Sequence, residues 1–220
     1  MSRSDFPTAR PFLPDDRDLE ALAEACQDCQ GCPLYGDATQ AVFGIGRADA
    51  DIMLVGEQPG VREDRIGEPF VGPAGKVLDQ ALEEAGIRRD EIYITNAVKH
   101  FKSRTTEDRQ TGVKPNVAEI TACRPWLESE IERVNPEIIV ALGAVAARSL
   151  TEELIPVGEA LDQWMQTAEG RDLLVTYHPS ATLRAVAEAD QGRMFDAITR
   201  TLTRARDAVS PMRPGPRPQA

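Results

Sequence analysis

Four short apolar runs punctuate the chain, and each stops where a loop begins. They are Asp51-Ile-Met-Leu-Val-Gly56, Glu91-Ile-Tyr-Ile-Thr-Asn96, Glu137-Ile-Ile-Val-Ala-Leu142 ahead of Gly143, and Asp172-Leu-Leu-Val-Thr176 ahead of Tyr177-His-Pro-Ser180. Runs this short, apolar at consecutive positions, predict parallel strands covered on both faces. Between them apolar residues recur at helical spacings. Helices are expected at about Ala74–Ala85 (Val77, Leu78, Ala81, Leu82), Ala118–Val134 (Ile120, Leu127, Ile131, Val134), Ala144–Leu150 and 191–206. A shorter helix is expected near Asp18–Gln27, a short strand at Ala41–Phe43, and loops at 57–75 and 99–116. Strands alternating with helices make the class α/β, with three α/β/α layers around a central four-stranded parallel sheet. Such sheets bind ligands outside the carboxyl ends of their strands. The loops after Gly56, Asn96, Gly143 and Thr176 are therefore the place to look for chemistry.

Composition narrows this picture. The 220 residues suit one domain, expected over 18–206, with a flexible segment at 1–17 and a disordered Pro/Arg-rich tail at 207–220. No stretch has the 18 or so consecutive apolar residues of a membrane span, and the first residues lack the apolar core of a secretory signal, so a cytoplasmic location is expected. The net charge of −11 argues against a nucleic-acid partner without excluding one, since a small basic patch can sit on an acidic body. Locally the balance reverses: over 99–114, Lys99, Lys102, Arg104, Arg109 and Lys114 face only Glu107 and Asp108. Residues 200–220 add five arginines against one aspartate. Each is either a solvated surface or a place where a phosphate backbone is welcome.

Neither a G-x-G-x-x-G nor a G-x-x-x-x-G-K-[ST] phosphate loop is present, which disfavours nicotinamide and nucleoside-triphosphate chemistry. Instead Gly56-Glu57-Gln58-Pro59-Gly60 closes the first core strand and can turn Glu57 and Gln58 toward a pocket. Phe70, in Pro69-Phe-Val-Gly-Pro-Ala-Gly75, either plugs the core or stacks on a planar ligand. Asn96 ends its strand with an amide that both donates and accepts, as a pyrimidine edge requires, or it caps backbone. His178 sits just past the last strand, where Pro179 fixes the chain, and can donate or accept a proton near neutral pH. No lysine holds an evident site position, which argues against Schiff-base chemistry. Cys29, Cys32 and Cys123 offer three soft ligands to a metal or cluster, with Cys26 or His100 as the fourth.

With these residues in view, GEQPG, EPFVGPAG, TNAVKH, ACRPWL and HPS occur in an order and spacing that resemble the iron–sulfur members of the uracil-DNA glycosylase superfamily, closest to the X-type enzymes and related to family 4. The resemblance covers about residues 18–206. It implies a monomer that hydrolyses the N-glycosidic bond of deoxyuridine in single- or double-stranded DNA, in base excision repair. By the same resemblance, Glu57 and Gln58 match the water- and uracil-edge residues, Gly56 lies against the base, Phe70 matches the stacking ring and Asn96 the uracil-reading amide. His178 matches the donor to uracil O2, and Ser180 to Arg184 match the loop beside the flipped nucleotide. Lys102 and Arg109 join Ser180 and Arg184 as expected DNA contacts. A [4Fe–4S] cluster is implied on Cys29, Cys32, Cys123 and His100, since His100 stands where X-type proteins have histidine. The chain departs from the X-type pattern at two places. Val61 replaces a commonly acidic residue after GEQPG. The loop after TNAVKH lacks the Lys-Arg-Arg-Ile-His segment whose histidine is the covalent trap, and Gly112 aligns with that histidine. Hydrolytic turnover is therefore expected, with covalent capture and non-catalytic uracil-DNA binding as the alternatives.

Overall fold

The computed structural model describes residues 8–106 and 109–209, with the side chains of 105–110 left aside. The four apolar runs form the centre of one sheet: β2 (Ile52–Gly56), β3 (Tyr93–Asn96), β6 (Ile138–Leu142) and β8 (Asp172–Thr176), parallel in the order β3-β2-β6-β8. Two-residue strands extend both edges antiparallel, β1 (Ile45–Gly46) beside β3 and β7 (Met165–Gln166) beside β8. The sheet thus has six strands, with the expected four as its core.

Consecutive apolar residues in these strands face opposite layers. Ile52, Leu54, Val140 and Leu174 pack on α3 (Pro73–Glu84) and α8 (Glu188–Ala208) through Leu78, Leu82, Ile198 and Leu202. Met53, Val55, Ile139 and Val175 pack on the other face against Leu127, Ile131, Ala147 and Leu150 of α4 (Val117–Val134) and α5 (Ala144–Thr151). Burial on both faces explains why the runs show no polar alternation. A third cluster lies beside the sheet. There Leu22 of α1 (Leu19–Gln27), all four cysteines, Phe43 and Trp126 belong to one buried cluster.

Where the structure differs from the sequence expectations, the cause is local. Residues 41–43 form no strand: Val42 N–H bonds Lys99 O (2.8 Å), but the Gly44 N–H is taken by the Glu130 carboxylate (2.9 Å), and ladder pairing begins only at Ile45. The 99–116 segment is not a plain loop. It holds a hairpin of β4 (Ser103–Thr106) and β5 (Arg109–Gly112), paired from Ser103 with Gly112 to Thr106 with Arg109. The 57–75 loop contains a short helix, α2 (Val61–Ile66), and α8 starts before residue 191 and runs to Ala208. Ahead of residue 18, the Ala9 N–H bonds Ala122 O (2.8 Å) and Ala9 is buried. Among the described residues no helix is long and apolar enough to cross a membrane.

The register brings the functional loops together. Gly56 pairs with Asn96 and Leu142 with Thr176, so four strands end at one level. The chain leaves β2 for β3 on one side and returns to β6 on the other. The topological switch, where open α/β sheets form a crevice, therefore lies beside the loop that begins at Glu57.

Candidate nucleobase site

A cleft of about 990 Å³ opens at this edge, and Glu57, Phe70, Asn96, Lys114, His178 and Arg184 are among the residues lining it. Asn96 is buried at its floor. Its Oδ1 is one of four buried side-chain polar atoms without a hydrogen-bond partner among the described residues, and Asn96 is the one of these residues that lines the cleft. A buried acceptor left unsatisfied costs about 1–3 kcal/mol. Gly56 is needed opposite it, because a Cβ there would collide with Asn96 Oδ1 and the Phe70 ring.

Phe70 takes a left-handed backbone conformation (φ 55°), uncommon for a residue with a side chain. Its neighbours hold it there. Arg89 Nη2 donates to Pro69 O (2.9 Å) and Phe70 O (3.3 Å), and Gly75 leaves room for the Phe70 carbonyl. Glu63 bridges the two loops, accepting from Gly60 N (3.1 Å) and Gly72 N (2.7 Å). The Phe70 ring lies 5.8 Å from the His178 ring at 28°, a stacked arrangement.

His178 is the N-cap of α7 (Pro179–Arg184). Its Nδ1 accepts from Ser180 N (3.1 Å) and lies 2.8 Å from Ser180 Oγ, which also accepts from Arg184 Nη1 (2.8 Å). A backbone N–H cannot be an acceptor, so Nδ1 carries no proton and the neutral ring bears its hydrogen on Nε2. Burial, reinforced by the Arg184 and Lys114 cations, pushes His178 down to about 4. Burial pushes the Glu57 carboxyl up, with Lys114 and Arg184 opposing. The cleft wall therefore includes a neutral imidazole donor and a half-buried carboxyl.

The remaining site expectations divide. Glu57, Phe70, Asn96, His178, Ser180 and Arg184 line the cleft, and Gly56 pairs with Asn96 at the strand ends beside it. Gln58 lines the cleft, but its amide is already engaged. Oε1 accepts from Lys102 N (3.0 Å), while Nε2 donates to Val113 O (3.1 Å) and Lys102 O (3.4 Å), clamping the stem of the hairpin. Its side-chain amide thus holds the hairpin at the mouth of the cleft. The Lys102 ammonium pairs with Glu119 (2.9 Å), which itself caps the start of α4 through Asn116 N (2.7 Å). Arg109 lies on β5, and its side chain is outside those described. Lys114 overturns the expectation that no lysine reaches the site. Sequence reasoning also passed over Arg62 and Arg65. These flank Glu63 and Asp64 on α2; both carboxylates are buried, while Arg62 and Arg65 are exposed along the cleft.

All four cysteines are free, buried and gathered in one cluster. Burial pushes Cys123 up to about 12 and raises Cys26 and Cys32 as well. Trp126 Nε1 donates to Cys29 Sγ and the Lys99 N–H to Cys123 Sγ, both at 3.2 Å. Such N–H donors would also steady thiolates on a metal group. His100 is buried, and burial lowers its pKa, leaving a neutral imidazole. The donor chemistry suits a soft metal group, although no three His, Cys, Asp or Glu side chains among the described residues are arranged around a metal position.

Comparison with known proteins agrees with this geometry. The Type-4 uracil-DNA glycosylase of Pyrobaculum aerophilum is 40% identical over 177 residues, covering 77% of this chain and 87% of that protein. That of Thermotoga maritima is 38% identical over 167 residues, covering 76% and 83%. A Type-5 uracil-DNA glycosylase of Pyrobaculum aerophilum is more distant, at 28% over 151 residues, covering 61% and 63%. The family model for the Uracil DNA glycosylase superfamily matches residues 43–203, which span the whole sheet and cleft, and the chain belongs to that superfamily.

Proposed function

We propose that this chain is a monofunctional uracil-DNA glycosylase that hydrolyses the N-glycosidic bond of deoxyuridine in DNA and leaves an abasic site for repair. The carrying observation is the unpartnered Asn96 Oδ1 on the cleft floor, beside the Phe70 ring and a neutral His178. A base taken out of the DNA stack loses a few kcal/mol of pairing and stacking, which the pocket must replace. Phe70 supplies a face for the ring. Asn96 Oδ1 accepts from uracil N3–H while its NH₂ group donates to O4. Cytosine would meet it with an acceptor at N3 and an amino group at C4, leaving both partners mismatched.

Breaking the C1′–N1 bond leaves negative charge on the base and positive character on the sugar. His178 Nε2–H donates to uracil O2, where the charge grows. The Glu57 carboxylate faces the sugar and orients the water whose oxygen bonds to C1′. One water proton is released and the uracil anion is then protonated. Gln58 contributes through the hairpin it clamps. Arg62, Arg65, Lys114 and Arg184 line the cleft as cations for the DNA phosphates, against the acidity of the chain as a whole. Ser180, beside Arg184, contributes its backbone and hydroxyl at the same rim.

Cys29, Cys32, Cys123 and His100 would hold a [4Fe–4S] cluster, which when bound cross-links the N-terminal segment, α4 and the loop after β3. Hydrolysis requires no electron, so this role is structural. We further read the protein as a monomer acting in the cytoplasm, where prokaryotic DNA lies, on uracil in single or double strands. The test is single-turnover excision from a labelled oligonucleotide. The chain should release uracil and leave cytosine. Asn96→Ala should slow uracil release by about 10²-fold, the scale of losing placed hydrogen bonds. Equal release of both bases would overturn the reading.

A further inference from the structure

Three residues beyond Asn96, Lys99 is wholly buried, as is Glu130 of α4, and their side chains pair at 2.5 Å. The ammonium has three donors and three acceptors: Glu130 Oε2 (2.5 Å), Thr95 Oγ1 (2.6 Å) and the Asn96 carbonyl (2.9 Å). On its other side Glu130 Oε1 accepts from Gly44 N (2.9 Å), Tyr93 OH (3.1 Å) and Thr95 Oγ1 (2.9 Å). The Lys99 backbone N–H reaches Cys123 Sγ (3.2 Å). One residue thus touches the carbonyl of Asn96, the carboxylate of α4 and a buried thiol of the same helix.

Packing alone gives no reason for an ion pair at this place. An apolar pair of similar volume often holds two elements together as well or better, because burying two charges costs several kcal/mol each. What an apolar pair cannot do is fix a carbonyl. The backbone after Asn96 already bonds β2 through Ala97 N to Gly56 O (2.9 Å) and Val98 N to Glu57 O (3.1 Å). The Lys99 ammonium takes the Asn96 carbonyl, so this peptide is held from both sides. An amide that reads a base edge works only when held to within about 0.5 Å.

We infer that Lys99, clamped by Glu130 and Thr95, is a positioning residue that sets Asn96 for base reading and ties it to the cysteine-bearing helix. The inference rests on the reading of Asn96 given above, and a double-mutant cycle separates the two. Single-turnover uracil excision is measured for the parent, Lys99→Met/Glu130→Gln, Asn96→Ala and the combined variant. The paired substitution should cost about tenfold or more in rate with DNA affinity within about threefold. In the Asn96→Ala background it should cost less than about threefold, because the group it positions is gone. An equal cost in both backgrounds, or no cost in the first, overturns the inference. An Asn96→Ala variant at full rate overturns the reading beneath it. Thr95→Val, which removes one hydroxyl and little volume, runs the same cycle with a smaller demand on folding. It should show the same non-additivity, and additivity would overturn the inference on that route as well.

Discussion

Asn96 and Lys99 lie three residues apart at the end of one strand, both buried, and the structure treats them in opposite ways. Lys99 has a partner for every donor, and Glu130 accepts on both carboxylate oxygens. Asn96 keeps an acceptor with no partner among the described residues, and that acceptor belongs to the residue on the cleft floor. The contrast separates scaffold from site. A satisfied buried polar group holds a shape, whereas an unsatisfied one beside a cavity waits for a ligand.

Changes to the two centres should therefore be felt in different measurements. The largest effect belongs to the satisfied centre. Glu130→Ala leaves Lys99 buried without its counter-charge and should cost about 3–5 kcal/mol of stability, read from the denaturant midpoint. Asn96→Ala should cost less than about 1 kcal/mol by the same readout, since it removes an orphaned acceptor as well as packing. If the two variants unfold alike, the distinction fails.

His178→Ala comes next. It should lower single-turnover excision by about 10²–10³-fold while leaving DNA affinity nearly unchanged, as expected for a donor that meets charge only as the bond breaks. The same residue carries a signature in stability. Its folded pKa of about 4 lies below its ordinary value near 6.5. Between these the unfolded chain binds a proton that the folded chain refuses, so stability falls as pH drops through that window. The imidazole should contribute about 3 kcal/mol to the loss measured there in urea titrations, so His178→Ala should show a shallower slope than the parent. Parallel slopes would mean that the imidazole is not held neutral.

The smallest effects concern the rim. Replacing Arg62 and Arg65 with alanine should weaken DNA binding and reduce the slope of log affinity against log salt by about one for each phosphate no longer neutralised. Lys102→Ala should leave that slope unchanged, because its ammonium belongs to Glu119. A slope altered by Lys102 and not by the arginines would reverse this assignment.

Much of this arrangement could be read from the sequence. The runs at Ile52, Ile138 and Leu173 are apolar on both faces because helices cover both faces, and a buried strand leaves that mark. Asn96 and His178 stand out because each follows such a run in a fold whose ligands sit at strand ends. What stayed hidden depends on partners distant in the chain. The hairpin at 103–112 is polar and leaves no periodic signal. Arg62-Glu-Asp-Arg65 looks like mixed surface charge until Glu63 is seen bonding Gly60 and Gly72, and Asp64 bonding Thr39 N (2.9 Å), which leaves the arginines outward. Gln58 and Lys102 look available in the sequence, and only the fold brings Val113 and Glu119 to engage them.

Gly112 connects this fold to the expected chemistry. It lines the cleft beneath the hairpin that Gln58 clamps, and it presents no side chain to attack a sugar. The most direct measurement is one single-turnover reaction with a labelled uracil oligonucleotide, divided between alkaline cleavage, a no-alkali control and a denaturing protein gel. Strands that break only after alkali, with no retarded protein band, are the predicted result and identify hydrolysis to a free abasic site. A band that survives denaturant would mean that another residue attacks the sugar, and strand breaks without alkali would mean that an amine does so. Either would contradict hydrolytic excision by His178 and Glu57.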